Sequence, residues 1–349
     1  MKTKLIRIDE QHIDAVLIKE AGDVIQAGGL VAFPTETVYG LGGDALNPSS
    51  SKKIYCAKGR PSDNPLIVHI ADMEALSAIV REVPESALKL AQRFWPGPLT
   101  MIFHKSDLVP RETTGGLDTV AVRMPAHRVA RELIRAAGGY VAAPSANRSG
   151  RPSPTVAKYV AQDMDGRIEM IIDGGDVEIG LESTIVDLTA ERPTILRPGY
   201  ITRQMLEQVL AAVEEDSTMM RDDSGQAPKA PGMKYRHYAP KGDLTVVDGD
   251  AESVIAYINA QVEMMQDDNM ITGVISTDAN ISRYHADVCK SVGERTNEDA
   301  IARELYRTLR EFDDENVEII YAEAFDACGF GQAIMNRLLK AAGHKVVHV

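Results

Sequence analysis

The chain has 349 residues, 44% hydrophobic and 26% charged, with a net charge of −13. That is the balance of a soluble globular protein, and the length calls for two domains rather than one core. No run of about eighteen apolar residues occurs, which excludes a membrane-spanning helix, and the charged start Met1–Arg7 lacks the apolar stretch of a secretory leader. Cys56, Cys289 and Cys328 are odd in number and far apart, make neither a disulfide framework nor a CxxC spacing, and fit a reducing cytoplasm. The charge is unevenly placed. Residues 243–349 hold 9 Lys and Arg against 20 Asp and Glu, a net of −11, whereas residues 1–242 hold 29 against 31. The acidic C-terminal part argues against phosphate-led nucleic-acid binding there.

The apolar periodicity predicts a helix from about His12 to Ala27, stopped by Gly28-Gly29, and then a buried strand, Leu30–Phe33, ending at Pro34. Further strands are predicted at Leu66–Ile70, Leu99–Phe103, Val120–Met124, Tyr140–Ala143, Met170–Ile172, Thr184–Leu188 and Thr194–Leu196. Helices are predicted at Pro84–Phe94 and His127–Ala137, and one from about Thr202 to Val213 closes the unit. Strands that only partly alternate with helices imply a twisted, mixed, open sheet covered by helices over residues 1–213. Residues 214–242, rich in acid and proline, read as a linker or lid. Its second half, Ala230-Pro231-Gly232-Met233-Lys234-Tyr235-Arg236-His237-Tyr238-Ala239-Pro240, is dense in groups able to contact a ligand. Residues 243–349 then alternate regularly. Strands are expected at Leu244–Val247, Ile271–Ser276, Ala286–Val292, Val317–Tyr321 and Lys345–Val349, and helices at Ala251–Met265, Asp299–Phe312 and Gln332–Ala342. This is the pattern of a smaller Rossmann-like α/β domain with a largely parallel sheet. Ile301, Leu305, Leu309 and Phe312 form one face of its middle helix, with Thr296 or Asn297 as the N-cap.

Two segments carry the sharpest chemical signal. Lys58-Gly59-Arg60-Pro61-Ser62-Asp63-Asn64-Pro65 sets two cations two residues apart ahead of the strand that reaches His69. Its prolines and glycine predict a stiff, non-helical loop that aims both cations at one point. Arg supplies a bidentate fork and Lys a mobile point charge, which suits a polyphosphate; a solvated basic turn has the same composition. Tyr140–Pro154 runs from an apolar strand into Pro144-Ser145-Ala146-Asn147, then Arg148, Arg151 and Ser153. The carboxyl ends of strands in α/β sheets are where ligands collect, and small side chains let a ligand approach the backbone. An ordinary polar loop is the alternative. Phe33–Gly40 repeats the strand-to-loop logic, as does Leu181-Glu182-Ser183-Thr184, whose strand leads on to Arg197-Pro198-Gly199. Arg123 lies within an apolar strand, where an unpaired charge is costly; a structural ion pair with Glu36 or Asp118 is the plain explanation.

No GxxxxGK[ST] loop, HExxH or GxSxG motif is present. Gly329-Phe330-Gly331 resembles a dinucleotide turn, but Ile334 stands at the third glycine position, and helix packing explains it as well. His344 and His348 flank a terminal strand and do not read as metal ligands.

Taken in order, Phe33–Gly40, Lys58–His69, Trp95–Thr100, Thr119–Pro125, Pro144–Asn147, Glu182–Ile185 and Leu196–Gly199, with the linker motif and Gly331–Leu338, resemble the threonylcarbamoyl-AMP synthase family in its longer, two-domain Sua5 form. The resemblance spans essentially the whole chain. It implies a YrdC-like catalytic domain and an enzyme, a nucleotidyltransferase, that converts L-threonine, bicarbonate or CO₂, and ATP into threonylcarbamoyl-AMP and pyrophosphate, with Mg²⁺ expected alongside ATP. A threonylcarbamoyl transferase machinery then modifies adenosine 37 of tRNA. By the same resemblance Lys58 and Arg60 are the catalytic cations. Asn64, Thr119, Ser145, Asn147, Ser153, Arg197, His237 and Tyr238 join them on ATP, with Tyr235 also in the lid. Thr37, His69, Arg123, Ser183 and the backbone of Ala143 hold threonine, and no metal ligands are assigned. Two other functions are open from the residues: an RNA-binding module built on the cationic segments, disfavoured by the −11 tail and 5% aromatic content, and carbamoyl transfer, whose zinc-binding cysteines this chain lacks.

Overall fold

The structure, a computed structural model, describes residues 2–216 and 237–349; linker residues 217–236, Tyr235 among them, lie outside it. The chain divides into two compact units. Of the described residues, the first unit takes 2–149, 153–178 and 182–216, and the second takes 150–152, 179–181 and 237–349.

In the first unit eleven described strands form one sheet. Across it they run Lys4–Arg7, Met170–Asp173, Val31–Phe33, Gly40–Asp44, Val141–Ala142, Ile67–His69, Thr119–Arg123, Leu99–His104, Thr184–Asp187, Thr194–Arg197 and Glu214–Glu215. Pairing is mixed: Ile67–His69 runs parallel to Thr119–Arg123 but antiparallel to Val141–Ala142. The short strand Val31–Phe33 shows why these segments read as unbroken apolar runs. Ala32 joins one core cluster with Leu41, Val68 and Val122, while Val31 and Phe33 join another with Ile18, Ile25 and Leu133. Both faces of the sheet are covered, so successive residues are apolar instead of alternating. Each fully buried Val, Leu, Ile or Phe side chain contributes roughly 1.5–3 kcal/mol relative to exposure.

The helices begin where capping groups allow. Asp14 accepts from the backbone N–H groups of Val16 and Leu17 and starts Ala15–Gln26. Glu85–Phe94 and Arg128–Ala136 lie where periodicity puts them. The expected helix to Val213 is only Arg203–Glu207, begun by Thr202, whose hydroxyl accepts from Met205 N. Helices Pro48–Lys58 and Ala157–Met164 and strands Lys4–Arg7, Gly40–Asp44 and Glu214–Glu215 extend the sequence reading. Gly40–Asp44 (GLGGD) is glycine-rich and so carries almost no β signal of its own.

The second unit holds five described strands, all parallel, in the order Val288–Ser291, Thr272–Ser276, Ile319–Glu323, Asp243–Asp248 and Val346–His348. Helices Ala251–Asp267, Glu298–Asp314 and Gly331–Ala341 connect them. Asn297 is the N-cap of the second, accepting from Ala300 N, and Ile301, Leu305, Leu309 and Phe312 are buried. The α/β class expected of both units is the one observed. Among the described residues no helix is long and apolar enough to cross a membrane, and all three cysteines are exposed and unbridged.

Candidate active site

Lys58 departs from the loop expectation. It ends the helix Pro48–Lys58, which Asn47 caps and Pro48 opens. Gly59 follows in the left-handed conformation at φ 62°, a geometry that glycine adopts without Cβ strain. The weak amphipathicity of PSSSKKIYCAK and its three serines hide this helix from periodicity. Its end buries Lys58, whose Nζ donates to the carbonyl oxygens of Ser145 and Asn147, each at 2.5 Å, and approaches Asn147 Oδ1 at 3.4 Å. The 145–147 segment is fixed from the other side as well, since Ala146 N donates to Tyr39 O and Leu41 N to Pro144 O, both at 2.8 Å. Ser145 Oγ donates to Asn147 Oδ1 at 2.5 Å. The two segments singled out in the sequence therefore meet directly.

Arg60 folds back on its own loop. It donates to Asn64 Oδ1 at 2.6 Å, Asn64 O at 3.2 Å and Pro65 O at 3.1 Å. Tyr55 donates to the same Asn64 carbonyl at 3.2 Å and to Glu112 O at 3.1 Å. Burial pushes its phenol up to about 12, so it remains a donor at neutral pH.

A second constellation lies at the carboxyl ends of the central strands. His69 stands opposite Arg123 in the parallel ladder, and Thr100 opposite Arg123 in the antiparallel one. Arg123 donates from Nη1 to Thr37 Oγ1 at 2.9 Å and from Nε to Gly97 O at 3.3 Å. Its Nη2 lies 2.7 Å from Glu36 Oε1, close enough for an ion pair but out of line for a hydrogen bond. The sequence reading of an Arg123–Glu36 pair and the placement of Arg123 beside Thr37 thus hold together; Asp118 pairs with Arg111 instead, at 3.0 Å. Thr100 Oγ1 and Ser183 Oγ are 2.8 Å apart, and Arg197 donates to Ser183 O at 3.0 Å and to Ser183 Oγ at 3.1 Å. Gly199 fits because a Cβ there would lie 2.5 Å from Thr184 N. Ser153 Oγ donates to Glu182 Oε1 at 2.6 Å, beside Ser183.

Electrostatics divides these groups. Burial, and then the neighbouring Arg123, drives His69 down to about 3, so its imidazole is neutral, with Nδ1 3.2 Å from Ile67 O. Thr119 and Arg123 occupy opposite ends of one strand, about 13 Å apart at 3.3 Å per residue. By the same register Asn64 and Thr119 belong to one end of the parallel pair, and His69 and Arg123 to the other. Ala143 N donates to Ile67 O, next to His69's strand. His237 and Tyr238 belong to the second unit, where their rings lie 5.5 Å apart and Tyr238 packs on Tyr306 at 5.1 Å. No group of three or more His, Cys, Asp or Glu side chains able to hold a metal occurs among the described residues.

Comparison with known proteins decides what family builds this arrangement. The profile of Sua5, YciO and YrdC proteins, described as "Telomere recombination", matches residues 23–199, and one described as "Threonylcarbamoyl-AMP synthase, C-terminal domain" matches residues 201–343. The threonylcarbamoyl-AMP synthase of Pyrococcus abyssi is 47% identical over 99% of this chain and 100% of its own length. The chain belongs to the threonylcarbamoyl-AMP synthase family. The Bacillus subtilis threonylcarbamoyl-AMP synthase is 46% identical with the same coverage. A crystal structure of Pyrococcus abyssi Sua5 complexed with L-threonine matches with a TM-score of 0.94 at 46% identity, covering 99% of this chain and 100% of that one.

Within that family frame, Thr100, which motif reading left without a role, joins the candidate site, touching Ser183 and facing Arg123. Glu36, read from the sequence as an ion-pair partner of Arg123, faces it as read. Their signals were present as the Thr closing Trp95–Thr100 and the lone acid between two threonines in Thr35-Glu36-Thr37.

Proposed function

We infer that the protein forms threonylcarbamoyl-AMP and pyrophosphate from L-threonine, bicarbonate or CO₂, and ATP. The observation that best supports this reading is the continuous polar run from Thr37 through Arg123, Thr100 and Ser183 to Arg197. It sets a guanidinium suited to an amino-acid carboxylate two side chains, Thr100 and Ser183, away from a cation suited to phosphate.

The chemistry follows from what these groups do. The threonine nitrogen bonds the carbon of CO₂ and loses a proton, giving an N-carboxylate. One oxygen of that carboxylate attacks the α-phosphorus in line as the bond to the pyrophosphate oxygen breaks. Such a transfer needs positioning and charge stabilisation rather than a covalent protein intermediate. Lys58 and Arg60, with Asn64, Thr119, Ser145, Asn147, Ser153 and Arg197, are assigned to ATP. Thr37, His69, Arg123, Ser183 and the Ala143 backbone are assigned to threonine. A neutral His69 suits this role, since it offers a hydrogen bond without a second positive charge beside Arg123. His237 and Tyr238 are assigned to ATP on the family resemblance. Mg²⁺ accompanies the triphosphate, and the described residues form no acidic cage for it. The product is handed to transferase machinery acting on tRNA, and exposed, unbridged cysteines support a cytoplasmic setting.

Pyrophosphate release by the purified protein tests the assignment. Release that requires threonine and bicarbonate together is expected; release indifferent to threonine would sink it.

A further inference from the structure

Resting on that reading, one group near Arg123 has no evident part in either substrate's binding. Glu36 is 5% exposed. Its ion-pair partner is Arg123 Nη2 at 2.7 Å, with the His127 imidazole a further electrostatic neighbour; neither carboxylate oxygen nor that Nη2 takes part in a hydrogen bond. A buried carboxylate without hydrogen bonds is expensive, and the pair is held by charge alone. Arg123 does not need Glu36 to be oriented, because Gly97 O and Thr37 Oγ1 already hold its other two nitrogens. What the carboxylate adds is a negative charge at the one cation assigned to threonine.

We propose that Glu36 is a specificity-determining residue that makes the Arg123 subsite select a zwitterion over an anion. The reaction presents this subsite with bicarbonate, triphosphate and pyrophosphate, all anions, alongside threonine, whose ammonium and carboxylate sit on one α-carbon as a zwitterion at neutral pH. A bare guanidinium attracts all four. A guanidinium paired with a buried carboxylate is neutral as a unit, so it gains little from a plain anion. It still complements a ligand carrying both signs. The neutral His69 beside Arg123 adds no positive charge that would undo the balance.

The test compares two ligands on the full-length protein by calorimetry without ATP: L-threonine, and 2,3-dihydroxybutanoate of the same stereochemistry, in which a hydroxyl replaces the amine. In Glu36→Gln, threonine is expected to weaken while the hydroxy acid tightens, lowering their affinity ratio about tenfold or more at an effective dielectric near 20. Inorganic phosphate is expected to become a better competitor of threonine. Glu36→Asp, which draws the charge back by one methylene, lowers the ratio about threefold and serves alone if the Gln variant does not fold. A ratio unchanged from wild type, whether both ligands weaken together or neither moves, overturns the proposal, since a scaffolding role affects both alike. Threonine-dependent pyrophosphate release by the wild type, run alongside, separates the two ideas. Its absence defeats the functional reading, whereas its presence with an unchanged ratio defeats only the role of Glu36.

Discussion

Lys58 Nζ donates to the carbonyl oxygen of Asn147 at 2.5 Å, joining residues 89 apart in sequence. The same ammonium reaches Ser145 O at 2.5 Å, so one helix end and one strand-to-loop junction share a single charge. An ammonium has three protons; besides these two carbonyls Lys58 Nζ reaches Asn147 Oδ1 at 3.4 Å, and a phosphate oxygen of ATP is proposed to join this set. Replacing Lys58 with Met keeps the stem and removes the charge. ATP-analogue affinity measured by calorimetry is expected to fall at least tenfold, the size of a lost charge-assisted contact of about 1.5–3 kcal/mol. Thermal unfolding is expected to remain cooperative at a lower midpoint, because two buried carbonyls lose their donor. Wild-type affinity would remove Lys58 from the nucleotide site.

Arg123 is the group assigned to the threonine carboxylate, and its three nitrogens each have a distinct neighbour. Lysine cannot reproduce a planar fork. Arg123→Lys is therefore expected to raise the KM for threonine by ten- to a hundredfold, about 1.4–2.8 kcal/mol, with the KM for ATP nearly unchanged. Steady-state kinetics with each substrate varied in turn checks this; a parallel rise in both constants would contradict separate subsites.

His69 sets a pH limit on stability. Its folded value near 3 lies below the ordinary 6.5 because burial and then Arg123 disfavour the imidazolium. Between those values the unfolded chain binds a proton that the folded chain does not, so this contribution is complete above about 6.5 and is lost as pH falls toward 3. The slope approaches ~1.4 kcal/mol per pH unit in that window. Urea unfolding of wild type and His69→Asn at pH 7 and pH 5 measures it: the variant is expected to lose less stability between the two.

Gly199 tests packing at the edge of the site. A Cβ there meets Thr184 N at 2.5 Å and Glu182 O at 2.9 Å, both backbone atoms. Gly199→Ala is expected to cost about 1–3 kcal/mol from overpacking and to shift Ser183, which adjoins both. Denaturant titration and threonine binding, measured on one preparation, are expected to decline together.

Much of this arrangement was legible because both faces of the sheet are buried: runs such as Val31-Ala32-Phe33 and Val120-Ala121-Val122 announce strands, and the loops carrying the candidate site residues follow them. The family motifs then assigned chemistry residue by residue. What stayed hidden has local causes. Gly40–Asp44 is a strand without β-forming residues. Pro48–Lys58 is a helix with three serines, and the expected loop at Lys58 is its last turn. The helix after Thr202 ends at Glu207, although apolar residues continue beyond it. The contact of Thr100 with Ser183 spans 83 residues, and no spacing rule reaches that far. Glu36 was visible as a partner for Arg123, but that its charge lies buried without hydrogen bonds emerges only from the three-dimensional packing.

The most direct test of the whole account is mass spectrometry of the product formed by purified protein with ATP, L-threonine and ¹³C-labelled bicarbonate. The account predicts a threonine- and AMP-containing adduct that gains one mass unit from the label, together with pyrophosphate. An AMP adduct of threonine without the labelled carbon, or no threonine-containing adduct at all, would contradict it.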